Sequence, residues 1–271
     1  MRGLLERLLQ VHAGLVYGLM YAPILLMGLF SFNSAKFMAF PLGAFTLAWY
    51  REVLGDSRIL GGLATTFTVA IPVTLTTTVL GTMAALALVR HAFRFKVVYV
   101  VLLVLPFFIP KIIFAVAQVI FLSEAGVAKG LVTVWIAQSV IIAPFATVII
   151  ASVLFRANRR LEEAAADLGA TAWQTFRLVT LPLMKNGIVA AAFIAFVLSS
   201  AEYTVSFFTS GRVQPLSVLV ASDFRFNLSP SLNALAMLIV LFNVVVIVLS
   251  EVLRRRTARR RASQLAAMTM P

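Results

Sequence analysis

The chain contains no cysteine. A disulfide framework and any Cys-based metal or catalytic site are therefore excluded. Charge is scarce: Asp, Glu, Lys and Arg make up 12% of the residues, against about 25% in an ordinary soluble domain. Acids are fewest, 10 against 23 basic residues. The two histidines, His12 and His91, are isolated and lack metal-ligand spacing. That argues against an integral-membrane enzyme, which needs clustered histidines and carboxylates. No G-x-x-x-x-G-K-[ST] run occurs, so this chain carries no phosphate-binding loop of that kind. Internal repeats, low-complexity tracts and Gly/Ser linkers are also missing.

What is present is apolar: 61% of the 271 residues are hydrophobic. One globular core cannot hold that excess, so a bilayer must serve as solvent. Six stretches are long enough to span, each needing about 20 residues: 14–32, 62–89, 97–122, 131–155, 188–208 and 232–253. Together they predict an all-α integral membrane protein with one domain over 14–253. The first stretch is too long for a typical signal-peptide core, and no clear cleavage site follows, so it reads as a retained helix. Before it, residues 1–13 hold Leu4, Leu5, Leu8 and Leu9 on one face, with Arg2, Glu6 and Arg7 elsewhere. That pattern suits an interfacial helix.

A net charge of +13 invites a nucleic-acid reading. The distribution of the charges favours another. Arg2 and Arg7, then Arg90, Arg94 and Lys96, then Arg156, Arg159, Arg160, Arg177 and Lys185, then the arginines of 254–261 all fall on one set of alternating loops. Cytoplasmic loops carry such an excess. Both termini and the segment 156–187 are therefore expected in the cytoplasm, and no nucleic-acid partner is implied. The basic tail 254–271 suits the inner face of the membrane. On the opposite side, Trp49 and Tyr50 of the loop 33–61 are either interfacial anchors or part of a lateral helix that meets an external partner.

The segment 156–187 is polar and lies between two apolar stretches. Asn158 can cap a helix whose first turns hold Glu162 and Glu163, carboxylates that suit the positive helix end. Ala164, Ala165 and Ala166 favour helix and leave a smooth surface. Gly169 permits a turn. Thr171 and Gln174 have capping-box spacing and start a second short helix. Trp173 and Phe176 lie three apart and share a face, as a knob for a socket. Pro182 permits a break before the fifth span.

The run Glu163-Ala164-Ala165, then Gly169, then Val179-x-Leu181-Pro182 resembles the cytoplasmic EAA coupling loop of ATP-binding-cassette (ABC) importer permeases. The runs 30–37, 45–54, 80–88, 206–211 and 228–241 follow at matching separations. Together they resemble the second permease subunit of spermidine/putrescine-type importers. The resemblance implies a six-span type I importer permease fold in the bacterial inner membrane. It implies pairing with a second permease, docking on two ATPase subunits that hold ATP and Mg, and delivery of the solute by an extracytoplasmic binding protein. Glu163, Ala164, Ala165, Gly169, Thr171, Trp173, Phe176 and Pro182 would then form the ATPase-coupling element.

Departures from the family pattern occur at the candidate pathway. Where polyamine permeases resemble Pro-acid, this chain has Pro110-Lys111; where two acids are frequent, it has Ala201-Glu202 before Tyr203 and Ser206. Intramembrane charges usually face a cavity or a partner. Lys111 would attract an anionic or zwitterionic solute, such as a phosphonate, opine or amino-acid derivative, or would pair with a carboxylate, Glu202 being the internal candidate. Ser199, Ser200 and Ser206 would line a polar route or serve helix packing. Pro72, Pro106, Pro110 and Pro144 are candidate kinks. Asn243 reads as an interhelical hydrogen bonder and Glu251 as a partner of Arg254 and Arg255. A stand-alone secondary carrier is the rival class. It would leave the coupling segment unexplained and would be expected to carry internal repeats.

Overall fold

A computed structural model describes residues 2–35, 39–226, 229–242 and 244–245. Apart from one isolated bridge, Asn33 to Phe45, the regular structure among these residues is helical. The helices are α1 (Arg2–Ser31), α2 (Ala48–Gly55), α3 (Ser57–Arg90), α4 (Lys96–Phe108), α5 (Lys111–Glu124), α6 (Leu131–Arg156), α7 (Arg160–Asp167), α8 (Ala172–Thr175), α9 (Leu181–Ala201), α10 (Thr204–Thr209) and α11 (Leu216–Phe226). A further helix, α12, covers Pro230–Phe242. A π-helical segment, Phe176–Thr180, joins α8 to α9.

Four helical stretches are long and apolar enough to cross a membrane, or five if the bent pair α4–α5 is one span. The sixth expected span, 232–253, lies partly outside the described residues, as do Asn243, Glu251 and the tail 254–271. The helix α1 runs unbroken from Arg2 to Ser31, so the segments 1–13 and 14–32 are one element.

The chain divides into two compact units, residues 57–222 and residues 1–56 with 223–271. In the first, α3, α6 and α9 pack together around interleaved small and large apolar side chains. Ala85, Ala146, Ile150, Leu154, Met184 and Ala191 form one buried cluster. Val69, Val73, Phe114, Ala115, Val134, Ala137, Ile141 and Ala195 belong to a second. Between helices in hydrocarbon, contact comes from close approach rather than from expulsion of water. Gly81 is where α3 and α6 meet most tightly: a Cβ there would lie 2.8 Å from the Ala146 Cβ and 3.0 Å from its backbone. Two buried threonines of α3 satisfy their hydroxyls within the helix, Thr77 donating to the Val73 carbonyl at 2.7 Å and Thr66 to that of Gly62 at 2.9 Å. Thr66 also accepts from the Leu216 amide at 2.9 Å, which ties the start of α11 to α3.

Two spans are not the continuous helices that hydropathy predicts. The stretch 97–122 is α4 and α5, bent by 109° at Ile109-Pro110. Pro110 supplies no amide, and its ring drives Ile109 into extended backbone, ψ 127°. Pro72, Pro106 and Pro144 lie inside helices. The stretch 188–208 stops at Ala201, with Glu202 extended at ψ 110°, and resumes as α10. Nor does Pro182 break the chain: it follows directly on the π segment, within the continuous helical stretch Ala172–Ala201.

In the other unit, Met237 of α12 packs beside Gly28 of α1. The loop after α1 is organised by Asn33, whose side-chain oxygen accepts from the Gly43 amide at 2.7 Å. Trp49 donates to the Asn33 carbonyl at 2.8 Å, and the Tyr50 and Ser31 hydroxyls are 2.7 Å apart. These aromatics therefore fasten α2 to the end of α1.

The Gly81 contact carries a direct consequence. Gly81→Val overpacks backbone against backbone and should cost about 1–3 kcal/mol, read as a lower melting temperature of the detergent-purified chain. Gly61→Ala, where an added Cβ meets nothing within 4 Å, should leave that temperature unchanged or slightly higher.

Candidate functional site

The caps and the turn of the segment after α6 lie where its sequence suggests, while the expected break at Pro182 is absent. The Asn158 side chain accepts from the Arg160 amide at 3.0 Å and opens α7. Gly169 turns the chain at φ +87°, a conformation that disfavours residues with a Cβ. Thr171 Oγ1 accepts from the Gln174 amide at 3.3 Å, and Gln174 Oε1 accepts from the Thr171 amide at 2.8 Å. This reciprocal capping box starts α8. The Trp173 and Phe176 rings lie 5.5 Å apart. Trp173 is 66% exposed and Leu168 90% exposed, with Leu178 also exposed. Ala164 is exposed, Ala165 half-buried, and Pro182 sits at the start of α9.

The two neighbouring carboxylates have different fates. Glu163 is exposed and makes only a surface pair with Arg159, 3.3 Å away. Glu162 is largely buried and binds Arg90 Nε at 2.9 Å from the end of α3. It also accepts from Thr180 Oγ1 at 3.0 Å, in the π segment. One carboxylate thus joins α7, α3 and the foot of α9. Arg90 Nη2 is buried with no hydrogen-bond partner among the described residues. Successive helical residues project about 100° apart, so only one of a Glu-Glu pair can turn inward. Sequence reasoning singled out the outward one as a coupling residue, and nothing local distinguished the inward one.

At membrane depth, both breaks described above meet. Lys111 opens α5 just after Pro110, and its Nζ lies 2.8 Å from Glu202 Oε2, at the break between α9 and α10. Glu202 Oε1 accepts from the Val205 amide at 3.1 Å and so caps α10. Of the two readings for Lys111, pairing with Glu202 is present in the fold. Their exposures differ: the Lys111 side chain is 57% accessible and that of Glu202 only 9%. Both border a small cleft of about 130 Å³ whose other walls are apolar, Pro106, Phe107, Ile109, Ile142, Phe145 and Leu198 among them.

Ser206 is fully buried. It donates to the Glu202 carbonyl at 2.7 Å and accepts from Gln138 Nε2 at 2.9 Å. Ser199 donates to Gln138 Oε1. Ser199 and Ser206 therefore tie α9 and α10 to α6, while Ser200 donates to the Phe196 carbonyl of its own helix. Tyr203 stacks obliquely on Phe207, their rings 5.7 Å apart. Gln138, which links α6 to both sides of the α9–α10 break, escaped sequence reasoning. Its signal was available: a lone amide inside a long apolar helix needs partners there.

Residues 77–259 match the family of binding-protein-dependent transport system inner membrane components. The chain belongs to that family: it is a permease component of an importer. It is 32% identical over 228 residues to the putrescine transport system permease protein PotI of Escherichia coli (strain K12), covering 81% of each chain. To the spermidine/putrescine transport system permease protein PotC of the same strain it is 28% identical over 241 residues, covering 89% of this chain and 91% of the other. Its fold is similar to that of a bacterial ABC transporter involved in import of the acidic polysaccharide alginate, with TM-score 0.67 at 16% identity over 93% of this chain and 96% of that one.

Losing the Glu162 carboxylate should loosen α7. Glu162→Ala is expected to destabilise this segment by roughly 2 kcal/mol, somewhat below the range for fully buried pairs. Limited trypsin digestion should then cut faster at Arg159 and Arg160. Glu163→Ala should digest at the parent rate, because exposed pairs contribute little.

Proposed function

We propose that this chain forms half of an ATP-driven polyamine pore in the bacterial inner membrane, paired with a related second permease. Both termini and residues 156–187 face the cytoplasm, in keeping with the asymmetry of basic residues. An extracytoplasmic binding protein delivers the solute. Two ATPase subunits carry ATP and Mg, and one of them receives the coupling segment of this chain. The exposed apolar side chains Leu168, Trp173 and Leu178 support that docking role, since solvated apolar groups clustered on a short polar loop mark an interaction surface. Glu163, Ala164, Ala165, Gly169, Thr171, Phe176 and Pro182 shape or border the same element. Lys111, Glu202, Tyr203 and Ser206 lie along or beside the pathway.

The observation that carries the choice of solute is kinship with the putrescine and spermidine/putrescine permeases over most of the chain. Pairing of Lys111 with Glu202 agrees with it, because the lysine charge is already matched. The accessibility of Lys111 favours a second reading, in which the same machinery imports an anionic or zwitterionic solute. Thermal shift of the cognate binding protein against polyamines, opines, phosphonates and amino acids decides between them. A polyamine hit supports the first reading and an anion or zwitterion hit replaces it. Uptake that continues without the ATPase subunits would instead make the chain a secondary carrier.

Gly169 offers a test of the coupling role. No atom lies within 4 Å of a Cβ added there, so a substitution acts through backbone conformation rather than through collision. Gly169→Val should insert normally in the membrane yet lose most solute transported per ATP hydrolysed in proteoliposomes. Normal coupled uptake by this variant would remove the docking assignment.

A further inference from the structure

We propose that Glu202 is a binding point for a primary ammonium group of the solute, and that Lys111 is a tethered ammonium which occupies it between transport events. The inference rests on the polyamine reading above and adds a mechanism to it.

The two side chains are unequally anchored. Glu202 is held from several directions: Oε1 by the Val205 amide, and its carbonyl by the Ser206 and Ser217 hydroxyls at 2.7 Å and 3.0 Å. Its side chain is 9% accessible. Among the described residues Lys111 has one polar contact, the 2.8 Å bond to Oε2, and its side chain is 57% accessible. A long, flexible, exposed ammonium regains its own hydration when it leaves, whereas the carboxylate, fixed in place, cannot follow it. Departure would strand a buried carboxylate among Pro106, Ile109, Ile142 and Leu198, at the edge of the same cleft. An unpaired charge in such surroundings is strongly disfavoured. Either a proton or a second cation must then offset the carboxylate, and of the cations a primary ammonium matches the lysine in charge, donor number and size.

The arrangement also answers a requirement of any pathway site, which must bind well enough to admit the solute and weakly enough to release it. A built-in competitor weakens the site without altering its geometry. The apparent affinity falls by the fraction of time for which the carboxylate is free. Because Lys111 remains tethered nearby, its return helps to expel the solute.

The test is putrescine binding, by isothermal titration, to the purified assembly of both permeases and both ATPases without the binding protein. Lys111→Met removes the competitor and should bind putrescine about tenfold more tightly if the carboxylate is free about a tenth of the time in the parent. Glu202→Gln should abolish this binding, alone and together with Lys111→Met. Lys111→Arg, which can grip a carboxylate with two donors, should bind more weakly than the parent. Unchanged affinity in Lys111→Met, or retained binding in Glu202→Gln with the assembly intact by gel filtration, overturns the proposal. A parent assembly that binds a phosphonate or amino acid but no putrescine overturns the polyamine reading together with it. If the binding protein takes putrescine and the parent imports it while Lys111→Met binds as the parent does, the tethered-ammonium proposal alone fails.

Discussion

Hydrocarbon offers no hydrogen bonds, so a helix can stop inside a membrane only where other groups take over its freed backbone. That constraint governs the centre of this protein. The chain breaks at Ile109-Pro110 and again at Glu202, and the two breaks meet through one ion pair. The carboxylate both receives the lysine and caps the next helix at Val205. Gln138 reaches across from α6 to Ser206 and Ser199. Glu202, Gln138, Ser199 and Ser206 thus each bond to a group in a neighbouring element. Without that reciprocity, a bend of 109° in an apolar span would expose amides and carbonyls to lipid.

Around this centre, the long helices approach closely because their contact residues are small. Gly81 sits on Ala146, and Gly187 lies close to Val153. Close approach gives the bundle its dispersion contacts, while many other bulky Leu, Val and Phe side chains are left on the outside. Phe108 and Phe155 are about four-fifths exposed, at 79% and 81%. In a bilayer protein such groups meet lipid or a neighbouring subunit, so exposure that would signal misfolding in water is normal here.

Much of this was legible in the sequence. Long apolar runs announce membrane helices whatever their neighbours are. The capping box at Thr171 and the turn at Gly169 were legible because each depends on residues within three or four positions. Pairing of Lys111 with Glu202 could be named only as one of two alternatives, since the residues are 91 apart and sequence gives no distance. The break at Pro110 was hidden because hydropathy averages over a window and does not register one lost amide. The inward turn of Glu162 was hidden for another reason: it depends on Arg90, which is 72 residues away and reaches it only after the bundle has formed.

The π segment, Phe176–Thr180, has a consequence for how this region tolerates insertions and deletions. A π turn is an α-helix that has accommodated one residue too many. Removing any one residue from 176–180 would restore regular helix. The same deletion would rotate everything on its N-terminal side by roughly 100° about the axis of α9. Trp173 would swing to another face of the assembly, and Thr180 would lose its alignment with Glu162. The surplus residue therefore sets the phase between the exposed segment and the spans that follow it, and the length of this short stretch is under tighter constraint than the identity of most residues within it.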